Sequence, residues 1–278
     1  MTRFTKRNFL FAVLAIGSLF LFGPQSVAAQ TGVYVLNPAG VGEFSGTVDV
    51  ITSYLYVNGI FNPHGDADVT AVVANVGTVT NPDNFSGILN TGVFTTVDPL
   101  ASLPTPTWNP AADLGGVLSG SDDIVLSPGF YSAGIDLTSY ASVFLEPGVY
   151  VLDGAGLILT GQASITGVNV TIFITGTGVI NMTGGGVVDL APTFGGVYDD
   201  ILLFVDRETG ADVDLAGNGK FQTNGKIYAP ASTVNITGAA GTNGDPKFGF
   251  LLVAYDLRLS GTGEISFIRL PSPEELFD

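Results

Sequence analysis

The sequence predicts an all-β fold, a right-handed parallel β-helix (solenoid) behind a cleaved signal peptide. Three observations predict it. A phrase of alternating apolar residues, a small residue and glycine recurs: Leu157-Ile158-Leu159-Thr160-Gly161, Ile180-Asn181-Met182-Thr183-Gly184, Val213-Asp214-Leu215-Ala216-Gly217, Val234-Asn235-Ile236-Thr237-Gly238 and Leu257-Arg258-Leu259-Ser260-Gly261. Its glycines lie 23, 33, 21 and 23 residues apart, and a unit that short buries its apolar face only by stacking on others. The composition agrees: 38 glycines, 46% hydrophobic and 12% charged residues in a chain of 278 suit short strands and tight turns. The repeat also has one direction. Leu126-Ser127-Pro128-Gly129-Phe130-Tyr131 is echoed by Leu145-Glu146-Pro147-Gly148-Val149-Tyr150 after 19 residues, without the mirrored order of hairpins that an antiparallel sandwich or barrel would show. Right-handedness follows from the crossover preference of parallel strands.

Residues 1–29 read as a signal peptide. Arg3, Lys6 and Arg7 form a basic start, Phe9 to Phe22 is an apolar run short for a bilayer, and Val27-Ala28-Ala29 supplies small residues for cleavage before Gln30. An uncleaved anchor is the other reading of the same segment. Residues 30–97 form an N-terminal β region, expected as the first coils. Val33-Tyr34-Val35-Leu36 ends at Asn37-Pro38, Thr47–Ile51 and Tyr54–Val57 follow, and Asn58-Gly59 is a turn pair. Residues 98–113 are a Pro-rich linker. Pro99, Pro104, Pro106 and Pro110 lack the N–H that a ladder needs, so this stretch is a bridge over the body, anchored by Trp108. It either divides two modules or is one excursion from a single solenoid.

Residues 114–268 carry the strongest periodicity and form the β-helix proper. Leu157, Leu159, Val170, Ile172 and Ile174 are expected inside it. Gly161, Gly184 and Gly238 are expected at corners with positive φ. The 33-residue interval predicts an excursion within residues 193–210. Residues 269–278 form a polar tail, with Glu274, Glu275, Pro271 and Pro273 discouraging end-to-end growth.

The whole chain has a formal charge of −16, and removing Arg3, Lys6 and Arg7 leaves six basic residues against 25 acidic ones, near −19. That disfavours nucleic acid, anionic membranes and polyuronates as partners. A membrane is met only transiently, through the signal peptide. The absence of cysteine removes thiolate catalysis and cysteine-ligated metals.

The candidate binding residues cluster in the excursion: Tyr198, Asp199, Asp200, Asp206 and Arg207. Paired carboxylates can activate water and protonate a leaving oxygen, but neighbours on a strand point to opposite faces, so Asp199-Asp200 reads more simply as a solvated turn. Arg207 in Asp206-Arg207-Glu208 is expected to bridge a carboxylate within the loop. Asp189, Asp212 and Asp214 could together hold calcium, or be dispersed surface carboxylates, as the missing Gly-Gly-x-Gly-x-Asp repeat favours. Asn84-Phe85-Ser86, Asn169-Val170-Thr171, Asn181-Met182-Thr183 and Asn235-Ile236-Thr237 match the glycosylation sequon, though corner Asn residues serve αL turns or amide ladders equally well. His64 stands far upstream in an Asn-Pro-His-Gly turn. No P-loop, His-Glu-x-x-His or nucleophile elbow is present. No catalytic residue, metal ligand or cofactor is therefore assigned.

Several phrases resemble bacterial TadG-like proteins, the tight-adherence (Flp) pilus-assembly group, in their C-terminal β-helical domain. They are Asp98-Pro99-Leu100-Ala101-Ser102-Leu103-Pro104-Thr105-Pro106, the two Pro-Gly-x-Tyr phrases, Gly167-Val168-Asn169-Val170-Thr171-Ile172-Phe173, Leu203-Phe204-Val205-Asp206-Arg207 and Lys226-Ile227-Tyr228-Ala229-Pro230. The resemblance spans about residues 66–267. It implies a secreted or envelope-exposed β-helical domain of pilus assembly or surface attachment, with no catalytic residues to transfer. This chain departs from the pattern in its cleavable-looking leader and its lack of cysteines.

The expected function is thus a secreted or cell-surface, non-enzymatic structural or adhesive protein whose partners are cell-envelope or extracellular protein or polysaccharide. The alternative is a carbohydrate-active enzyme or glycan-binding module on the same scaffold, with Tyr131, Tyr150, Tyr198 and Tyr228 stacking on sugars. A flat Thr/Ser/Asn face that orders water is a third expectation.

Overall fold

The structure is a computed structural model that describes residues 31–118, 123–217, 221–238, 247–249 and 251–267. Residues 1–29, expected to be a signal peptide, and residues 269–278, expected to be a polar tail, lie outside the described residues. Every ladder among the described strands is parallel, which removes the sandwich and barrel. The chain winds as a β-solenoid whose coils each cross three sides in the same order.

On the first side, Gly116–Leu118, Gly134–Leu137, Gly156–Leu159, Val179–Met182 and Val213–Gly217 stack in sequence, and the ladder continues through residues 234–238 and 257–261. On the second, Asp123–Leu126, Ser142–Leu145, residues 164–167, Val188–Pro192, Phe221–Thr223 and Lys247–Phe248 do the same. On the third, Gly129–Tyr131, Gly148–Leu152, residues 170–174, Ile201–Val205, and residues 226–229 and 251–254 follow. The repeated phrase is the first-side strand. Its alternate residues Leu157, Leu159, Ile180, Val213, Leu215, Val234, Ile236, Leu257 and Leu259 are all buried, as are Val170, Ile172 and Ile174 on the third side. One apolar column therefore runs the length of the coils. The corner glycines act in two ways. Gly161 has φ +66, as expected, whereas Gly184 has no positive φ and is required by closeness, because a Cβ there would meet the Gly161 carbonyl oxygen at 2.9 Å.

The order of coils differs from the expected one. Residues 30–97 were expected to be the first coils, leading through a linker into the rest. Instead Gly32–Val35 pairs with residues 251–254, Val41–Phe44 with residues 257–259, and residues 47–52 with residues 262–267. The N-terminal strands thus continue the stack beyond the C-terminal coil, followed by residues 54–63, Asp68–Val79 and Phe85–Thr91. There is one solenoid and not two modules, and its spatial order is a rotation of its sequence order.

The chain must then travel from Thr91 at one end of the stack to Gly116 at the other. Nine rung steps separate the strands of residues 88–91 and 129–131 on the third side, about 43 Å at a ladder spacing of ~4.8 Å. Residues 93–113 make the crossing; extended at ~3.1 Å per residue they reach about 65 Å, which is ample. This strap runs across the strands, so its prolines leave no ladder bond unmade. It lies on the third side, whose outward row is itself apolar and buried: Val151, Phe173, Phe204, Tyr228, Val253 and Tyr34, with Leu100 of the strap. The third side is therefore sandwiched between the inner column and a second, outer apolar layer.

Candidate functional site

The strap is fastened at four places. Near its start, the buried Asn58 side chain donates to Thr96 O and Leu36 O, both at 3.0 Å, and accepts from Thr96 N at 2.6 Å. At its end, Leu114 N donates to Phe130 O at 2.8 Å, and the Asp113 carboxylate accepts from Gly115 N, Ser132 N and Ser132 Oγ. The hydroxyl and two amides that donate to it hold the Asp113 carboxyl below its ordinary value of 3.8. Between these ends Trp108 rests on Phe130 and Phe173, with ring centroids 5.9 and 6.0 Å apart, so it is an anchor as expected.

The fourth fastening is Arg207. Its Nη2 donates to the carbonyls of Leu100 at 3.1 Å and Leu103 at 2.7 Å, its Nε to the Tyr228 hydroxyl at 2.8 Å, and its Nη1 to Thr105 Oγ1 at 3.4 Å. The guanidinium lies 5.1 Å from the Phe204 ring centroid and 5.0 Å from that of Tyr228. Tyr228 passes the contact on, donating to Asp98 Oδ2 at 2.6 Å, while Asp98 Oδ1 accepts from Leu100 N. A phenol thus bridges a guanidinium and a carboxylate. Burial pushes the Tyr228 hydroxyl well above the ordinary tyrosine value, and Asp98 adds to the rise while Arg207 opposes it. The expected ion pair of Arg207 within its own loop is therefore replaced by carbonyl and phenol contacts. A planar five-donor fork suits clustered carbonyls on a strap better than a single carboxylate.

The other candidates are placed as follows. The excursion occupies residues 193–200, then re-enters the ladder at Ile201–Val205. Asp199 Oδ1 accepts from Gly195 N at 2.6 Å, which closes the loop on itself. Asp200 adopts φ +63, and its Oδ2 lies 3.6 Å from Lys226 Nζ. Lys226 Nζ also donates to Asp199 O at 3.3 Å. The adjacent carboxylates, both in a turn, have separate partners. Asp206 accepts from Thr175 Oγ1 and Glu208 N, both at 3.2 Å, and shapes the turn after the strand. Tyr198 is half-buried beside the outer apolar layer. Between strap and loop lies a cavity of about 280 Å³, lined by Leu100, Leu103, Val197, Ile201, Asp199 and Lys226, at the small end for a ligand pocket. So the structure brings Asp199 and Lys226 to the rim of this cavity, with Asp200 beside Lys226, and commits Asp206 and Arg207 to holding the chain.

The calcium trio does not assemble. Asp189 sits on the second side, in register with Thr166, whereas Asp214 sits on the first, in register with Asn181, and accepts from Asn235 Nδ2 at 2.8 Å. Among the described residues no group of three or more His, Asp or Glu could hold a metal. Two of the sequon asparagines take the turn and ladder roles: Asn169 has φ +60, and Asn235 pairs with Asp214. On the first side the residues after the inward pair form a hydroxyl column through Thr160, Thr183, Thr237 and Ser260, interrupted at Ala216; Thr237 and Ser260 pair with each other and Thr183 with Asn181. His64 stands beside Glu43, 3.4 Å away, and Arg258 joins the same carboxylate. Of the four tyrosines expected to meet sugars, Tyr131, Tyr150 and Tyr228 are buried; Tyr131 and Tyr150 stack on one another and donate to backbone carbonyls.

Comparison with known proteins returns nothing: no family model, no curated protein and no solved structure matches this chain. That a second layer covers the third side could nonetheless have been found in the sequence. Val170-Thr171-Ile172-Phe173-Ile174 and Ile201-Leu202-Leu203-Phe204-Val205 lack the alternation of a half-solvated strand, and continuous apolar strands signal a second layer.

Proposed function

We propose that this protein is a secreted or cell-surface, non-enzymatic structural or adhesive solenoid, associated with a pilus or other envelope assembly as the TadG-like phrases imply. One observation carries the reading: Arg207, Tyr228 and Asp98 are joined to one another and to backbone carbonyls in fastening the strap, and Asp206 is taken up by Thr175 and Glu208 N in the neighbouring turn. They stiffen a rod whose sides are regular ladders, an architecture suited to a spacer or an attachment surface. Its partners would be envelope or extracellular protein or polysaccharide, not nucleic acid, and its acidic charge supports that choice.

The test compares the purified mature chain and its Asp200→Asn variant on a panel of plant, microbial and host polysaccharides, alongside surface labelling of intact cells. The expected result is surface labelling with no bond cleavage by either protein. Turnover that Asp200→Asn abolishes would establish the carbohydrate-active alternative and overturn this one.

A further inference from the structure

The outward row of the third side changes character beyond the strap. In register along it stand Tyr34, Tyr56, Asn75 and Asn90. Tyr34 is buried, and its ring stacks on Tyr56 with centroids 4.5 Å apart and planes 23° from parallel. Since these two residues occupy adjacent rungs, the rings stack along the solenoid axis. One face of the Tyr56 ring meets Tyr34, and the other is turned toward the rung of Asn75. Tyr56 is half-buried against the outer layer, and an asparagine, much shorter than a tyrosine, puts no further ring on its far side. The next rung repeats the amide, and Asn90 Nδ2 donates to Asn75 Oδ1 at 2.9 Å.

The margins of this shelf are exposed and apolar. Tyr54, whose ring lies 6.3 Å from that of Tyr56 and 23° from its plane, is 40% exposed. Ile88, two rungs further along the Tyr54 row, is 59% exposed, and Phe94, beside Gly77 where the strap departs, is 51% exposed. No charged side chain belongs to the rows that form the shelf. Elsewhere on this side the stack of rings is closed by the strap; here it ends in an aromatic face over an amide floor.

We propose that Tyr54, Tyr56, Asn75 and Asn90 form a binding shelf for a neutral polysaccharide chain. A pyranose ring presents an apolar C–H face that packs on a phenol ring, and hydroxyls at its edge that pair with amides able both to donate and to accept. It would occupy the place where the next aromatic of the row is missing. A nucleobase would stack as well, but its phosphates meet a chain of net charge −16 with no basic residue on the shelf; the same objection applies to polyuronates. The inference rests on the adhesive reading and supplies its ligand, while relocating the sugar contacts away from Tyr131, Tyr150 and Tyr228.

The experiment is titration calorimetry of the mature chain with cellohexaose, chitohexaose and xylohexaose, with oligogalacturonate as the charged comparison. The wild type is expected to bind at least one neutral oligosaccharide and not oligogalacturonate. Tyr54→Ala, which removes an exposed side chain, is expected to weaken binding at least tenfold with an unchanged unfolding midpoint, and Asn90→Leu to weaken it without touching a ring. Binding that both variants retain, or wild type that ignores all three neutral probes, overturns the shelf. Attachment of the wild type and Tyr54→Ala to intact cells is measured in parallel. Equal attachment by the two overturns the shelf and leaves the adhesive reading standing, whereas no attachment by either removes both.

Discussion

The coils of residues 116–267 and those of residues 32–91 have the same cross-section but are joined differently. Each of the former follows its neighbour in sequence. The latter meet residue 251–267 strands through ladders alone, and their covalent link to the rest is the strap on the third side. The difference teaches that stacking depends on register and a shared apolar column, not on chain continuity. Phe44 and Phe61, in the docked coils, are as completely buried as Leu157 and Val213 in the sequential ones. What the docked coils lack is a short connection, so their junction closes a long loop; the entropic cost of that grows only slowly with length.

The strongest way to break this equivalence is at the junction itself. Gly46 of the docked coils lies against Gly261 across it; Gly46 has φ +87, and a Cβ there would run into the Gly261 carbonyl oxygen. Gly46→Val should cost about 4 kcal/mol through backbone strain and separated rungs, read from urea unfolding. It should also release residues 32–92 to protease first. Gly161→Val, in the sequential coils, should destabilise without that selective release.

Arg207→Ala is the next largest change. It removes the charged hydrogen bonds to the strap and two ring contacts, so a loss of about 3 kcal/mol is expected, with new cleavage inside residues 98–113. Arg207→Lys should restore little, since an ammonium cannot reach both carbonyls and the phenol in one plane.

Alkaline titration distinguishes the regions more gently. Burial holds the hydroxyls of Tyr34, Tyr150 and Tyr228 above the ordinary tyrosine value of 10.0, and neighbouring acidic or phenolic groups add to it. The folded chain therefore keeps these protons after the unfolded chain has released them. Stability is fully present below pH 10 and declines as the pH rises through and above it. Urea midpoints between pH 9 and pH 11 should fall, and fall less in Tyr228→Phe.

The smallest effect is at the far end of the strap. Asp113 is held below 3.8 in the folded chain, so what it contributes is present above that value and lost as the pH falls through the acid range. Asp113→Asn should flatten the acid limb of the stability curve slightly. An NMR titration of the carboxyl checks the direction.

The coil was legible because its signal is local: alternation, a small residue and a corner glycine recur in five first-side strands. Burial of Leu157, Leu159, Val170, Ile172 and Ile174 followed from that alternation alone. The order of coils was not legible, because Val33 would fit against Leu252 or any other rung of similar shape, and no residue records which. The bridge was legible from its prolines and Trp108, but its route was not, since that needs the outward row of Phe173, Phe204 and Tyr228 to be assembled from three distant strands. For the same reason Arg207 was singled out as a scarce cation and given the wrong partners: Leu100 and Leu103 lie more than a hundred residues away. Tyr54, Tyr56, Asn75 and Asn90 carried no motif at all, and only the register of three strands places them together.

The rotated coil order also fixes how the rod would carry tension. Gly32 is aligned with Leu251, and Phe267 with Thr52, so both ends of the described chain emerge at one waist inside the stack. A pull applied between them shears the hydrogen bonds of that waist, sparing the outer rungs on either hand. Such a rod hangs crosswise from its tethers, with two free arms rather than one.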